Sequence, residues 1–154
     1  MTPAEIRAVV QALDTTSVDA AERQWSELKP LGASVIPYLA EFYPRCKRWQ
    51  GRTSLVFHSI RYARVSEEAF QLGIAALQDK ATLVRYRACS LLAYSLRKDA
   101  LPFLYRVRTH ADSKTAADAA AAIRAIEANN HHLFVDRTES GHSFWVVNDD
   151  DAEA

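Results

Sequence analysis

Three side chains near the carboxyl end, Asp136, Ser140 and His142, are of the types that make up a nucleophile, its base and an orienting acid, and they fall within seven residues. Nucleophilic catalysis needs the hydroxyl held against the imidazole. Here the three surround Gly141 in a stretch of turn composition, where Asp, Ser and Gly serve the backbone. No GxSxG elbow accompanies them. His131, His132, Asp136 and His142 could together offer metal ligands, but their spacing matches no zinc pattern, and histidines at a helix end commonly meet its dipole. Cys46 stands beside Arg45, Lys47 and Arg48, a setting that lowers a thiol pKa only if the thiol is exposed. Cys46 and Cys89 form no CxxC pair and read as two reduced thiols. His58 lies among arginines, whose field disfavours its protonated form, and no carboxylate occurs between Phe42 and Ser66 to make it a general base. The sequence therefore assigns no catalytic residue, no metal ligand and no cofactor.

What it offers instead is charge. The 154 residues carry 19 Lys+Arg against 19 Asp+Glu, so the chain as a whole is not the polycation expected of a nucleic-acid coat. That zero is an average over unlike parts. Residues 1–41 hold 3 basic and 6 acidic side chains, residues 42–111 hold 13 and 4, and residues 112–154 hold 3 and 9. A +9 middle lies between ends of −3 and −6, and such segregation points to a binding surface.

The elements that must position these charges are helical. Apolar residues recur at helical spacing in about eight short segments, among them Ile6-Val9-Val10-Leu13, Leu55-Val56-Ser59-Ile60 and Ala88-Leu91-Leu92. Connections of a few residues between them imply stacked antiparallel pairs. Trp25 falls on an apolar stripe and reads as core, whereas Trp49 follows a basic run and reads as partly exposed. Phe70, Ile74, Asp79, Val84 and Ala88 align with Phe103, Val107, Asp112, Ala117 and Ala121 at an offset of 33. Val35-Ile36-Pro37-Tyr38-Leu39 aligns with Ala100-Leu101-Pro102-Phe103-Leu104 at 65, close to two such periods. A period in the thirties built from two helices marks an α-solenoid.

The last 25 residues change period. His132–Asp136 and Ser143–Val147 are rich in β-branched and aromatic residues and flank a glycine turn, which predicts a β-hairpin over 131–148, with Trp145 sealing the end of the stack. Residues 149–154 read as a disordered acidic tail beyond a single domain of 1–148. The amino terminus has no signal-peptide pattern and no apolar run is long enough to span a bilayer, so a cytoplasmic protein without membrane contact is expected.

Asp79, Val84-Arg85 and Ala88, followed by Asp99 through Leu104, resemble HEAT repeats, with the aspartate in the turn inside a repeat and the valine-arginine pair in its second helix. The match is good over 67–128, weaker over 34–64 and poor over 1–30, and Ala117-Asp118 departs from it by replacing the valine-arginine pair. The resemblance implies an all-α superhelix whose second helices line a concave face. Placed on that face, Arg61, Tyr62, Arg87, Tyr94 and Arg97 become anchors of a basic groove, with His58, Arg52 and Trp49 beside them. Arginine and tyrosine are enriched at interface hot spots and also suit phosphate contact and base stacking. Together with the aromatic segment 134–145, the chain resembles small bacterial HEAT-like proteins, some of which are immunity factors against toxins. That resemblance implies a non-enzymatic module that docks an acidic protein partner, such as a cognate toxin. The alternative expectation is a nucleic-acid-binding protein on the scaffold of HEAT-like DNA glycosylases.

Overall fold

The helix starts follow from capping residues. Thr2 accepts the Glu5 N–H while Glu5 reaches back to the Thr2 N–H, a capping box that opens α1 (Pro3–Gln11). Ser17 caps α2 (Val18–Leu28) by accepting from Ala20 N–H. A 3-10 stretch over Lys29–Val35, bent at Gly32 (φ 59°), leads into α3 (Ile36–Phe42), which carries proline in its first turn. The N-terminus of α4 (Trp49–Ser59) is held from outside, because Asp14 accepts the N–H groups of Lys47 and Arg48. Gly51 sits in the first turn of α4, where a Cβ would lie 2.9 Å from the Asp14 Cα, so only glycine permits this approach. Ser66 caps α5 (Glu67–Ala76), and α6 (Thr82–Ser95) ends on Leu96 in the left-handed region. Proline again opens α7 (Leu101–Val107), and Asp112 caps α8 (Ser113–Glu127).

The computed structural model describes the backbone of residues 1–153. Its eight α-helices form four pairs, and α4, α6 and α8, the second helices of successive pairs, pack side by side. Two apolar clusters fill the interior. One joins Ile6, Val10, Leu13, Leu28, Ile36, Leu39 and Leu55, and the other runs from Val56 through Leu91 and Leu104 to Ile126 and Phe134. Leu55 and Val56, adjacent on α4, link the two.

Buried ion pairs tie consecutive repeats together. Arg52 on α4 grips Asp79, in the turn between α5 and α6, through Nε–Oδ2 at 2.8 Å and Nη2–Oδ1 at 3.2 Å. Tyr43 donates to the same carboxylate at 2.6 Å. Thirty-three residues on, Arg85 of α6 reaches Asp112 at 2.9 Å and also donates to the Asp79 carbonyl and to Thr115. The next position in the series is Asp118, and there the rung is inverted: Asp118 accepts from Arg137 at 2.9 Å. In the other direction the series lands on Asp19, which is exposed, and on Cys46, where a carboxylate would be needed. That rung is missing, and α2 does not pack along α4 as α4 packs along α6.

The carboxyl end departs from the hairpin. His131–Phe134 is a 3-10 turn, and no strand occurs among the described residues. Side chains take the backbone groups that a partner strand would have used. His131 Nε2 donates to the Trp145 carbonyl at 2.8 Å, His132 Nδ1 accepts the Trp145 N–H at 2.9 Å, and Asp136 accepts the N–H groups of Ser140 and Gly141. Nor is the acidic end loose. Asp149–Glu153 form a 3-10 turn in which Asp151 is buried, accepting from Val147 N–H, Asn148 N–H and the Tyr94 hydroxyl. Ala154, the last residue of the expected tail, lies outside the described residues.

Candidate functional site

The gap between α2 and α4 is a cleft with two compartments. On α4 and the 3-10 turn that follows (Ile60–Tyr62), residues 49, 50, 53, 54, 57, 58 and 61 form one stripe at helical spacing. On α2, residues 18, 21, 22, 25 and 26 form the facing stripe, and Lys29 continues it into the 3-10 stretch. The two meet where the Trp25 indole stacks on the His58 imidazole, centroids 3.8 Å apart and rings 8° from parallel.

One compartment, about 290 Å³, is cationic. Lys29, Arg61 and Arg87 line it together with His58, Trp25, Phe57 and Trp145, and no carboxylate does. The Arg87 guanidinium lies 4.7 Å from the Phe57 ring centroid, which holds its plane against the wall. Arg61 donates to the Val147 carbonyl, and Asn148 donates to the Arg61 carbonyl, so the carboxyl-terminal segment forms one side of the compartment. Among the described residues, Lys29, Arg61 and Arg87 have no carboxylate partner, although eight other arginines are paired. Burial lowers the His58 pKa to about 4, with help from the charges of Arg61 and Arg87. His58 is therefore neutral at pH 7, and neither ring nitrogen makes a hydrogen bond to a described residue.

The second compartment, about 540 Å³, shares Trp25, Lys29, Phe57 and His58 with the first and extends toward the start of α4 between Val18, Ala21, Trp49 and Thr53. Its walls are largely apolar. Val18, Trp49 and Phe57, three exposed large apolar side chains, all face it. The Thr53 hydroxyl in its wall is buried and lacks a hydrogen-bond partner.

Of the residues placed in the groove by sequence, His58, Arg61 and Arg87 meet in the cationic compartment, and Trp49 lines the apolar one. Four others are corrected. Tyr94 is 2% exposed, with its hydroxyl bound to Asp151 beneath the carboxyl-terminal segment. Arg52 is buried against Asp79, Tyr62 packs on the amino-terminal core, and Arg97 is held by Glu67 and Asp99 over the Phe70 ring. Trp25, read as core, and Lys29 were not expected in the site. The signal available was their i, i+4 spacing at the carboxyl end of α2, which carries one face on into the 3-10 stretch.

The other chemical candidates resolve as structure. Ser140 donates its hydroxyl to Asp136, not to a histidine, and the pair braces a loop. Cys46 is buried, and burial pushes its thiol up to about 12, followed by the charge of Asp14, so it is no activated nucleophile. No group of three or more His, Cys, Asp or Glu side chains converges as a metal site among the described residues, and none of the described helices is long and apolar enough to cross a membrane.

No family model matches the chain, and no curated protein does. Six solved chains match it in structure. One of these is human deoxyhypusine hydroxylase, solved in complex with glycerol, which superposes with a TM-score of 0.65 over 80% of this chain at 19% identity. The chain spans only 44% of the length of that enzyme chain. This likeness shows the fold, a HEAT-like all-helical solenoid. It also corrects the functional expectation. The step from HEAT-like repeats to a non-enzymatic immunity module fails, because an enzyme is built on the same scaffold, and the glycosylase-like alternative gains nothing from the match.

Proposed function

We propose that the chain binds a small organic anion in the cleft between α2 and α4. The observation that carries this reading is the cationic compartment itself, where Lys29, Arg61 and Arg87 converge without a carboxylate and the remaining walls are aromatic and aliphatic. Unpaired cations beside low-dielectric walls attract an anion more strongly than the same charges in open solvent. The stacked Trp25–His58 pair and Phe57 offer flat faces for an apolar body. A large acidic surface laid along the whole concave face would also need Arg52, Tyr94 and Arg97, which are buried or already paired. A ligand of a few hundred Å³ needs only the residues that the cleft presents.

Titration calorimetry with 2-naphthoate and its neutral counterpart 2-naphthylmethanol tests the reading. The acid is expected to bind at least tenfold more tightly, and the joint substitution Arg61→Gln and Arg87→Gln should erase the difference. Equal affinity for acid and alcohol, or no binding of either, would remove the cleft from the account.

A further inference from the structure

Resting on that reading, we infer that the ligand is a single-chain amphipath, a fatty-acid-like carboxylate whose head sits at Arg61, Arg87 and Lys29 and whose tail lies in the trough toward Trp49. Three features of the cleft lead there. The two compartments follow one another along the stripe from Trp49 to Arg61, roughly 15–20 Å at helical rise, and share Trp25, Lys29, Phe57 and His58. Polarity is segregated along that length. Arg61 and Arg87 line only the end formed by the 3-10 turn after α4, and Lys29 stands where the two compartments join, whereas the far end offers Val18, Ala21 and Trp49 among uncharged Thr, Ser and Gln side chains, with Glu22 its one carboxylate. Finally, Val18, Trp49 and Phe57 are 71%, 42% and 47% exposed, an apolar patch that water covers poorly and an alkyl chain would cover well. A compact aromatic acid would fill the cationic end and leave Val18 and Trp49 bare. The guanidinium pair suits a carboxylate in particular, since each can offer two parallel N–H donors.

The test is a chain-length series. Octanoate, decanoate, dodecanoate and tetradecanoate, each below its micelle concentration, are titrated against the full chain by Trp fluorescence, with the matching alkanols as neutral controls. Affinity is expected to rise about fourfold per added methylene until the trough is full. Each acid should bind at least tenfold more tightly than its alcohol. Ala21→Trp fills the trough without touching the cationic compartment and should flatten the series beyond octanoate while leaving 2-naphthoate binding intact. Val18→Glu, at an exposed position that folding tolerates, should weaken dodecanoate and spare 2-naphthoate. A flat series in the unsubstituted chain, with 2-naphthoate still bound, would overturn the tail assignment and leave the anion site standing. A steep series shared equally by acids and alcohols would overturn the head assignment. Failure of both probe families to bind would overturn the underlying reading.

Discussion

At the scale of single residues, His58 shows how one environment sets one chemical state. Burial and two guanidinium groups keep it neutral, so it serves the cleft as a flat ring at pH 7. Its folded pKa lies below its unfolded value, so the stability it permits is complete above about pH 6.5 and falls away toward pH 4. A bound anion favours the protonated ring, and by reciprocity protonation favours the anion. The affinity for 2-naphthalenesulfonate, charged throughout, should therefore rise as pH falls from 6.5 toward 4, and His58→Phe should abolish the rise while keeping the stack on Trp25. A pH-independent affinity in the unsubstituted chain would mean that the anion does not sit near this ring. This site was half legible in the sequence. The arginines announced themselves by their numbers, but a guanidinium consumed by a buried carboxylate reads the same as a free one. Nothing in the letters at 52, 61, 87 and 97 says which two keep their charge for a partner.

At the scale of elements, the carboxyl-terminal segment is a strap rather than a hairpin. Alternating apolar residues and a glycine turn were present, yet the histidines at 131 and 132 captured the Trp145 backbone on both its donor and acceptor. A pattern of periodicity counts side chains by polarity and does not register that an imidazole can stand in for a strand. His131 donates from Nε2 to the Trp145 carbonyl, so its Nδ1 accepts from Arg64. Arg64, Asp151, His132 and the Tyr94 ring all face His131, and burial lowers its pKa against the pull of the Trp145 carbonyl. The sign matches that of His58: support for the strap is full above about pH 6.5 and drops as pH falls. Hydrogen exchange at the Val147 amide, which Asp151 accepts beside His131, measured relative to its intrinsic rate, should accelerate as pH falls below 6.5. Constant protection down to pH 4 would show that His131 does not hold the strap.

At the scale of the whole molecule, the ladder of ion pairs sets the stacking. The repeat was readable at an offset of 33, which aligned Asp79 with Asp112, and Asp79 and Arg85 were among the residues that carried the family resemblance. The partner of Asp79 was not, because Arg52 lies in a stretch where the repeat match weakens. Asp79 shows the balance in such a rung: burial pushes its carboxyl up, but the bonds from Arg52 and Tyr43 outweigh burial and hold it low. Removing one member leaves an uncompensated charge, so Arg52→Ala should cost about 3–5 kcal/mol in urea unfolding. Arg97→Ala, which breaks exposed pairs, should cost about 1 kcal/mol or less. Similar losses for the two would contradict the role of the ladder.

The missing rung between Asp19 and Cys46 has a meaning of another kind. A stack of identical repeats behaves like a crystal, in which every unit is satisfied by its neighbours and no interior position is open to a guest. The cleft lies where that lattice has a vacancy, along α2 and α4, and the stretch 1–30 is also the least repeat-like in the chain. Degeneracy of a repeat is usually taken as drift at the end of an array. In this chain it works as an address, and in other solenoids the poorest-matching unit would be the first place to seek a guest molecule.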